Sequence, residues 1–272
     1  MAQTLASRVR PKQSLGQNFL VDDNIAKKIV RSLDIGSDDV VLEIGPGQGA
    51  LTQHLAERAK HLIAVEIDGR VVEELKSSFE SQRVTILHED FLDTDLSVWS
   101  KKFNAALRIV GNIPYHLTSP ILFKIIDERT RVQDFTFMLQ KEVAQRIIAK
   151  PRTKDYGILS VLTQCYGMPK RLFSVSPNCF YPKPKVTSSV VQFAPRENLP
   201  HGIDEELFKT VVKTAFGKRR KTMRNCLKYL PYDEPVIEKI LKVSFPVLER
   251  RPEELTVQQF IDLAGDIQSV VL

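Results

Sequence analysis

Residues 40–90 alternate two kinds of segment. "VVLEIG" (40–45), "HLIAVEID" (61–68) and "VTILHED" (84–90) are apolar runs of strand length. Between them, "ALTQHLAERA" (50–59) and "RVVEELKSSF" (70–79) carry apolar residues at helical spacing. Strands separated by helices pair in parallel through right-handed crossovers. The alternation continues with a strand over "AALRIVGN" (105–112), a helix over "SPILFKIIDE" (119–128), a strand over "FTFMLQ" (135–140) and a helix over "EVAQRIIA" (142–149). Pro120 sits in the first turn of its helix, where a missing N–H costs nothing. A further helix over 22–33, capped by Asp22 or Asp23, precedes the series. The chain therefore reads as α/β with a doubly wound sheet, and such sheets bind ligands outside the carboxyl ends of their strands.

The pattern changes after residue 150. "ILSVLTQCY" reads as a helix, and "KRLFSVS" and "SSVVQFA" as two strands joined by "PNCFYPKPK". A connection that short predicts antiparallel pairing at one edge of the sheet. "PRENLPHG" (195–202) reads as a linker, and four helical segments follow it. This predicts two domains, 1–198 and an all-helical 199–272.

The chain has 272 residues, 43% of them hydrophobic, and a net charge of +6, which favours a polyanionic partner. Three cysteines are too few, and odd in number, for a disulfide framework, so a reducing compartment is expected. No His/Cys cluster has the spacing of a metal site, so no metal is expected. No apolar run reaches the about 20 residues of a membrane helix. The N-terminal stretch lacks Asp and Glu until Asp22 and carries Arg8, Arg10 and Lys12. That composition suits a substrate-binding arm and also mildly resembles a mitochondrial presequence.

One candidate site is the loop "EIGPGQG" (43–49), between the first strand of the sheet and a helix. Gly45 and Gly47 permit positive φ and close approach of a ligand, and the helix start offers free amides. Glu66, ending the second strand, is placed for two ribose hydroxyls, and Asp90, ending the third, for an adenine amino group. The loop alone fits NAD and S-adenosylmethionine about equally, since Gly45-x-Gly47-x-x-Ala50 meets the dinucleotide pattern. Glu43 favours the second: a carboxylate there engages a cationic amino group, directly or through water, and repels a pyrophosphate. Each acid also has a plainer reading, as a solvated turn residue or a strand-end group bonded to a nearby amide.

A second candidate is "GNIPYHL" (111–117) at the end of the fourth strand. Asn112-Ile113-Pro114-Tyr115 resembles the Asn/Asp-x-Pro-Tyr/Phe motif of amino-group methyltransferases. The likeness extends to "SLGQNFLVDDNIAKKI" (14–29), "EIGPGQGALT" (43–52), "MLQKEVAQRI" (138–147), "FYPKPKVTSSVV" (180–191), "AFGKRRKTMRN" (215–225) and "RPEELTVQQF" (251–260). On these segments the chain resembles the ribosomal RNA adenine dimethyltransferase family, in particular its bacterial small-subunit branch.

The resemblance implies a Rossmann-like class I S-adenosylmethionine-dependent methyltransferase, with a mostly parallel seven-stranded sheet and a small helical C-terminal domain. It implies N,N-dimethylation of two adjacent adenosines in the 3′-terminal hairpin of 16S rRNA, within an assembling 30S subunit, by a cytoplasmic monomer. The Asn112 side-chain oxygen and the Ile113 carbonyl would each accept one N–H of the adenine amine and aim its lone pair at the methyl group. Pro114 removes a backbone donor and fixes local φ. Tyr115 offers a stacking face, and Phe180 matches the position expected to close the other face of the base, though by pattern it reads equally as a core aromatic. Asn18 and Leu20 match cofactor contacts, whereas the pattern of "GQNFL" by itself reads as a plain helix start.

Lys183 and Lys185 suit phosphates, as do Lys218, Arg219, Arg220, Lys221 and Arg224 in "GKRRKTMRNCLK". The plainer reading of that run is a solvated helix face. Three rival functions remain at this level. A large-subunit rRNA methyltransferase of the macrolide-resistance type shares the loop and the Asn-x-Pro-Tyr motif. An NAD oxidoreductase fits the loop but leaves residues 112–115 unexplained. An RNA-binding assembly factor leaves the four acids and amides without a role.

Overall fold

The computed structural model describes residues 9–79, 81–196, 202, 204–243 and 246–271, with the backbone alone at Tyr115. Arg8 and the Tyr115 side chain thus lie outside the described residues. In chain order the elements are β1 (Phe19–Leu20), α1 (Asp23–Ser32), β2 (Val40–Ile44), α2 (Thr52–Ala56), β3 (His61–Glu66), α3 (Gly69–Ser78) and β4 (Val84–His88). There follow α4 (Leu96–Phe103), β5 (Leu107–Asn112), α5 (Thr118–Asp127), β6 (Val132–Gln140), α6 (Lys141–Ile148) and α7 (Ile158–Tyr166). The last are β7 (Lys170–Val175), β8 (Phe180–Tyr181), β9 (Ser188–Phe193), α8 (Glu205–Gly217), α9 (Met223–Leu227), α10 (Glu234–Lys242) and α11 (Val257–Val271).

Seven strands form one sheet in the order β4-β3-β2-β5-β6-β9-β7. The first five are parallel, and β9 runs antiparallel between β6 and β7. The antiparallel edge pair predicted from the short connection is present. Every residue of β2 is buried, which matches its unbroken apolar run apart from Glu43. Burying each of its large aliphatic side chains contributes roughly 1.5–3 kcal/mol before the entropy cost of ordering them.

Helix starts follow their capping chemistry. The Asp22 carboxylate accepts from Ile25 N at 3.1 Å, and Asp68 and Asp95 cap α3 and α4 in the same way. Helix α4 had no counterpart in the sequence reading. Its segment is short, and Trp99 and Phe103 stack on each other rather than marking a clear apolar face. The stretch expected to start a helix at "GQNFL" instead contains β1, which pairs antiparallel with β8: Phe19 opposite Tyr181 and Leu20 opposite Phe180. A two-residue strand has no periodicity of its own, so only its distant partner defines it.

Packing gathers the chain into two compact units, Met1–Ala144 with Lys170–Pro195, and Gln145–Pro169 with Arg196–Leu272. The first holds the sheet. In the second, α7, α8 and α11 pack on one another, and the Tyr166 hydroxyl donates to Glu205 Oε2 at 2.9 Å. Helix α7 buries Val161, Leu162, Cys165 and Tyr166, which explains why 145–169 goes with the C-terminal helices although it lies within 1–198. All three cysteines are buried and free. No helix among the described residues is long and apolar enough to cross a membrane.

Candidate active site

Strand order reverses between β2 and β5, where a doubly wound sheet opens its ligand crevice. Ile44 is in register with Gly111, so Gly45 and Asn112 leave the sheet side by side. A Cβ on Gly111 would lie 2.7 Å from the Ile44 carbonyl oxygen, so no larger residue fits where the two strands converge. The glycine in the motif is a packing requirement before it is anything else.

Gly45 and Gly47 have φ of 62° and 54°, the left-handed region that glycine occupies freely. Nothing lies within 4 Å of where a Cβ on Gly45 would stand, whereas one on Gly47 would meet the Phe19 ring at 2.8 Å. The loop is thus an open cradle on one side and is roofed by Phe19 on the other. Gly45, Gly47, Glu66, Asp90, Asn112, Ile113, Pro114, Asn18 and Phe180 line one cavity of about 850 Å³, including the part open to solvent. The lining is mostly apolar, with the Glu66, Asp90 and Asn112 side chains among its polar groups, the usual make-up of a small-molecule site.

Glu66 is 5% exposed. Its two oxygens accept from the backbone amides of Gly47 at 3.2 Å and Asp68 at 3.0 Å, which fixes the carboxylate at the cavity wall. Burial raises its pKa, and those amide bonds act in the opposite sense. Asp90 Oδ1 accepts from Leu92 N at 2.9 Å, so its carboxylate is held in a tight turn at the next strand end. Each acid is followed by an apolar residue that also lines the cavity, Ile67 and Phe91. Ile67 is 49% exposed and offers an apolar surface to the cavity. The repeated acid-apolar pair at successive strand ends was a usable sequence signal that the motif reading passed over.

Glu43 does not line this cavity. It is 1% exposed, faces a smaller recess shared with Phe19, Leu20 and Asn112, and accepts from the Thr52 hydroxyl at 2.8 Å. Burial pushes its pKa up to about 8 against the pull of that hydrogen bond, with nearby Glu66 adding to the rise. Leu20 packs in the core and lines only this recess.

Asn112 Nδ2 donates to the Asn18 backbone carbonyl at 2.8 Å. A carbonyl only accepts, so the amide must turn its NH2 toward Asn18, and its Oδ1 faces away. Ile113 N is bonded to Met138 O at 3.2 Å, which anchors the motif to β6. Phe180 is 5% exposed, packs in the core and lines the cavity. Sequence reasoning missed Gln17, whose side chain donates to Asp68 at 3.1 Å and ties the N-terminal arm to the turn after Glu66.

The basic residues divide. Arg10, Lys183 and Lys185 are exposed, and Lys12 lies 3.7 Å from Asp68. Asp68 is already engaged by Arg70 at 2.6 Å, which holds its pKa well below the usual range. Within the second unit, Arg219 donates to the Lys154 and Thr153 carbonyls at 3.1 and 3.4 Å, and Arg224 pairs with Glu249 at 2.7 Å. Lys218 and Lys221 are exposed over the Tyr229 ring, at 4.6 and 4.8 Å, and Arg220 is exposed beside them.

The cradle a Cβ would fill, the fixed ribose-side acid and the ionisable carboxyl in the recess together fit an adenosine cofactor with a cationic tail. The family model for ribosomal RNA adenine dimethylase matches residues 8–261. The chain is 44% identical over 256 residues to a ribosomal RNA small subunit methyltransferase A of Parabacteroides distasonis, covering 94% of this chain and 93% of that one. The corresponding protein of Flavobacterium johnsoniae is 41% identical over 96% of this chain and 97% of its own. Among solved structures, a dimethyladenosine transferase from Plasmodium falciparum superposes with a TM-score of 0.79 at 25% identity, over 92% of this chain and 98% of that one. The 23S rRNA methyltransferase ErmE gives 0.67 at 25% identity, over 92% and 100%. The strand-end cavity, the Asn-x-Pro-Tyr turn beside it and these matches have one reading: the chain belongs to the ribosomal RNA adenine dimethylase family.

Proposed function

We propose that the protein transfers methyl groups from S-adenosylmethionine to the 6-amino groups of two adjacent adenosines in the 3′-terminal hairpin of 16S rRNA. In this reading it acts as a cytoplasmic monomer on assembling 30S subunits, with helical residues 199–272 recognising RNA. The observation that carries it is the Asn112–Asn18 hydrogen bond, which orients a side-chain acceptor beside the strand-end cavity that Glu66 and Asp90 line. The relatives above 40% identity bear small-subunit names, which favours that substrate over large-subunit rRNA.

S-adenosylmethionine is the cofactor of the family and supplies, when bound, an electrophilic methyl group on a sulfonium. Glu66 would hold the ribose hydroxyls, Asp90 the adenine amino group and Glu43, as carboxylate, the methionine ammonium. For the substrate, an adenine amine is a poor nucleophile because its lone pair is shared with the ring. Asn112 Oδ1 and the Ile113 carbonyl each accept one of its N–H groups, which frees the lone pair to form the new N–C bond. Pro114 donates nothing at this point, so no N–H competes for those acceptors. The methylated nitrogen is acidic and gives up its proton to water, so no general base is needed. Rate comes from alignment and from electrostatics fixed before the reaction. Phe180 bounds the cavity, and the motif assigns Tyr115 to the other face of the base.

The test is incubation with labelled S-adenosylmethionine and small subunits that lack the methylation, followed by mapping of the labelled nucleotides. Label on two adjacent adenosines of the 3′-terminal hairpin is expected. Label confined to large-subunit rRNA, or none, overturns the reading.

A further inference from the structure

Tyr181 ends β8, and it is 62% exposed. Its neighbour along the strand, Phe180, lines the cavity. Its partner across the ladder, Phe19, lines the cavity too and is 6% exposed. Residues directly opposite in an antiparallel pair present their side chains on one face. Tyr181 therefore shares the face of Phe19, opposite to that of Phe180, and stands in solvent next to two residues that line the cavity without lining it itself. Among the described residues no ring packs on it and no cation lies over it. Two exposed lysines, Lys183 and Lys185, follow it two and four residues on, alternating with Pro182 and Pro184.

A lone exposed aromatic is ordinary. One flanked by cavity-lining residues and followed by two exposed cations has the composition of a single-strand nucleic-acid platform. An adenosine drawn out of its stack leaves the next base without a stacking partner. We propose that Tyr181 stacks the unpaired base next to the adenosine in the cavity, with Lys183 and Lys185 on the adjoining phosphates. This rests on the rRNA adenine reading above. With two adjacent target adenosines, the ring holds one while the other occupies the cavity.

The test uses the full chain and a substrate hairpin carrying 2-aminopurine beside the target adenosine, a base whose emission is quenched on stacking. The wild-type complex and Tyr181→Phe should be dim, and Tyr181→Ala bright. Tyr181→Ala should weaken RNA binding by about 5- to 100-fold, the range expected for loss of one base-aromatic stack. Cofactor affinity by calorimetry should not change, because the residue lies outside the cofactor cradle. Equal emission and equal RNA affinity in Tyr181→Ala overturn the inference alone, provided the wild type methylates unmodified small subunits. If the wild type does not, the reading beneath it fails and takes the inference with it.

Discussion

The Asn112 side-chain amide donates to the backbone carbonyl of Asn18 at 2.8 Å, and both residues line the cavity. Asn18 directly precedes β1, and β1 pairs with β8, which carries Phe180. The N-terminal arm thereby ties Asn112 to the strand that carries Phe180, both of which line the cavity. Because the partner is a carbonyl, the bond also determines which end of the amide faces the substrate.

Asn112→Ala should bind cofactor nearly normally and slow single-turnover methyl transfer by about 100-fold or more, the scale for loss of one preorganised electrostatic group. Asn112→Asp should also be severely slowed here, although the motif admits Asp. Its carboxylate would face the Asn18 carbonyl with no proton to share. Wild-type turnover in either variant would remove Asn112 from the chemistry.

Glu43 makes stability depend on pH. Its pKa rises from 4.5 to about 8 on folding. Between those values the folded protein keeps a proton that the unfolded chain has lost, so Glu43 lowers stability progressively as pH rises through that window. Glu43→Gln keeps the shape and removes the ionisation. Its melting temperature should match the wild type near pH 4 and exceed it by a growing margin toward pH 8. Cofactor binding to the wild type should release a proton, seen as a buffer-dependent calorimetric enthalpy that the variant lacks. A constant melting difference across that range would mean that Glu43 titrates normally.

Gly111→Ala places a Cβ 2.7 Å from a backbone oxygen of β2 and 2.9 Å from the Ile113 side chain. The backbone cannot rotate away as a side chain would, so the two strands must part. Thermal unfolding should show a loss of about 1–3 kcal/mol, as for other overpacked sites. Methyl transfer should fall as well, because Asn112 is the next residue.

Lys218, Arg220 and Lys221 are exposed members of the basic run, Lys221 donating to the Tyr229 hydroxyl at 2.8 Å, while Arg219 and Arg224 are half-buried and bonded to the Lys154 carbonyl and Glu249. Replacing the first three by Ala should reduce the salt dependence of RNA binding by up to about one unit of log–log slope per residue. Arg219→Ala and Arg224→Ala should lower the melting temperature and change that slope less. The opposite division would assign the RNA contacts to the two arginines.

The sequence by itself determined the alternation of strands and helices, the turn chemistry of Gly45 and Gly47, the acids Glu66 and Asp90 at strand ends, and the Asn112–Tyr115 motif. These are local signals: periodicity, capping and turn residues act over a few positions. It located β9 and β7 as an antiparallel pair because their connection is short. Only the tertiary structure decided that Phe19–Leu20 is a strand, since its partner lies at Phe180–Tyr181, far along the chain. It decided the orientation of Asn112, the burial of Glu43 in a small recess and the grouping of 145–169 with the C-terminal helices. It also divided a uniform run of cations into bonded and solvent-facing members. Each of these depends on which distant groups come within bonding distance and how much water they exclude, and neither quantity is written in the spacing of residues along the chain.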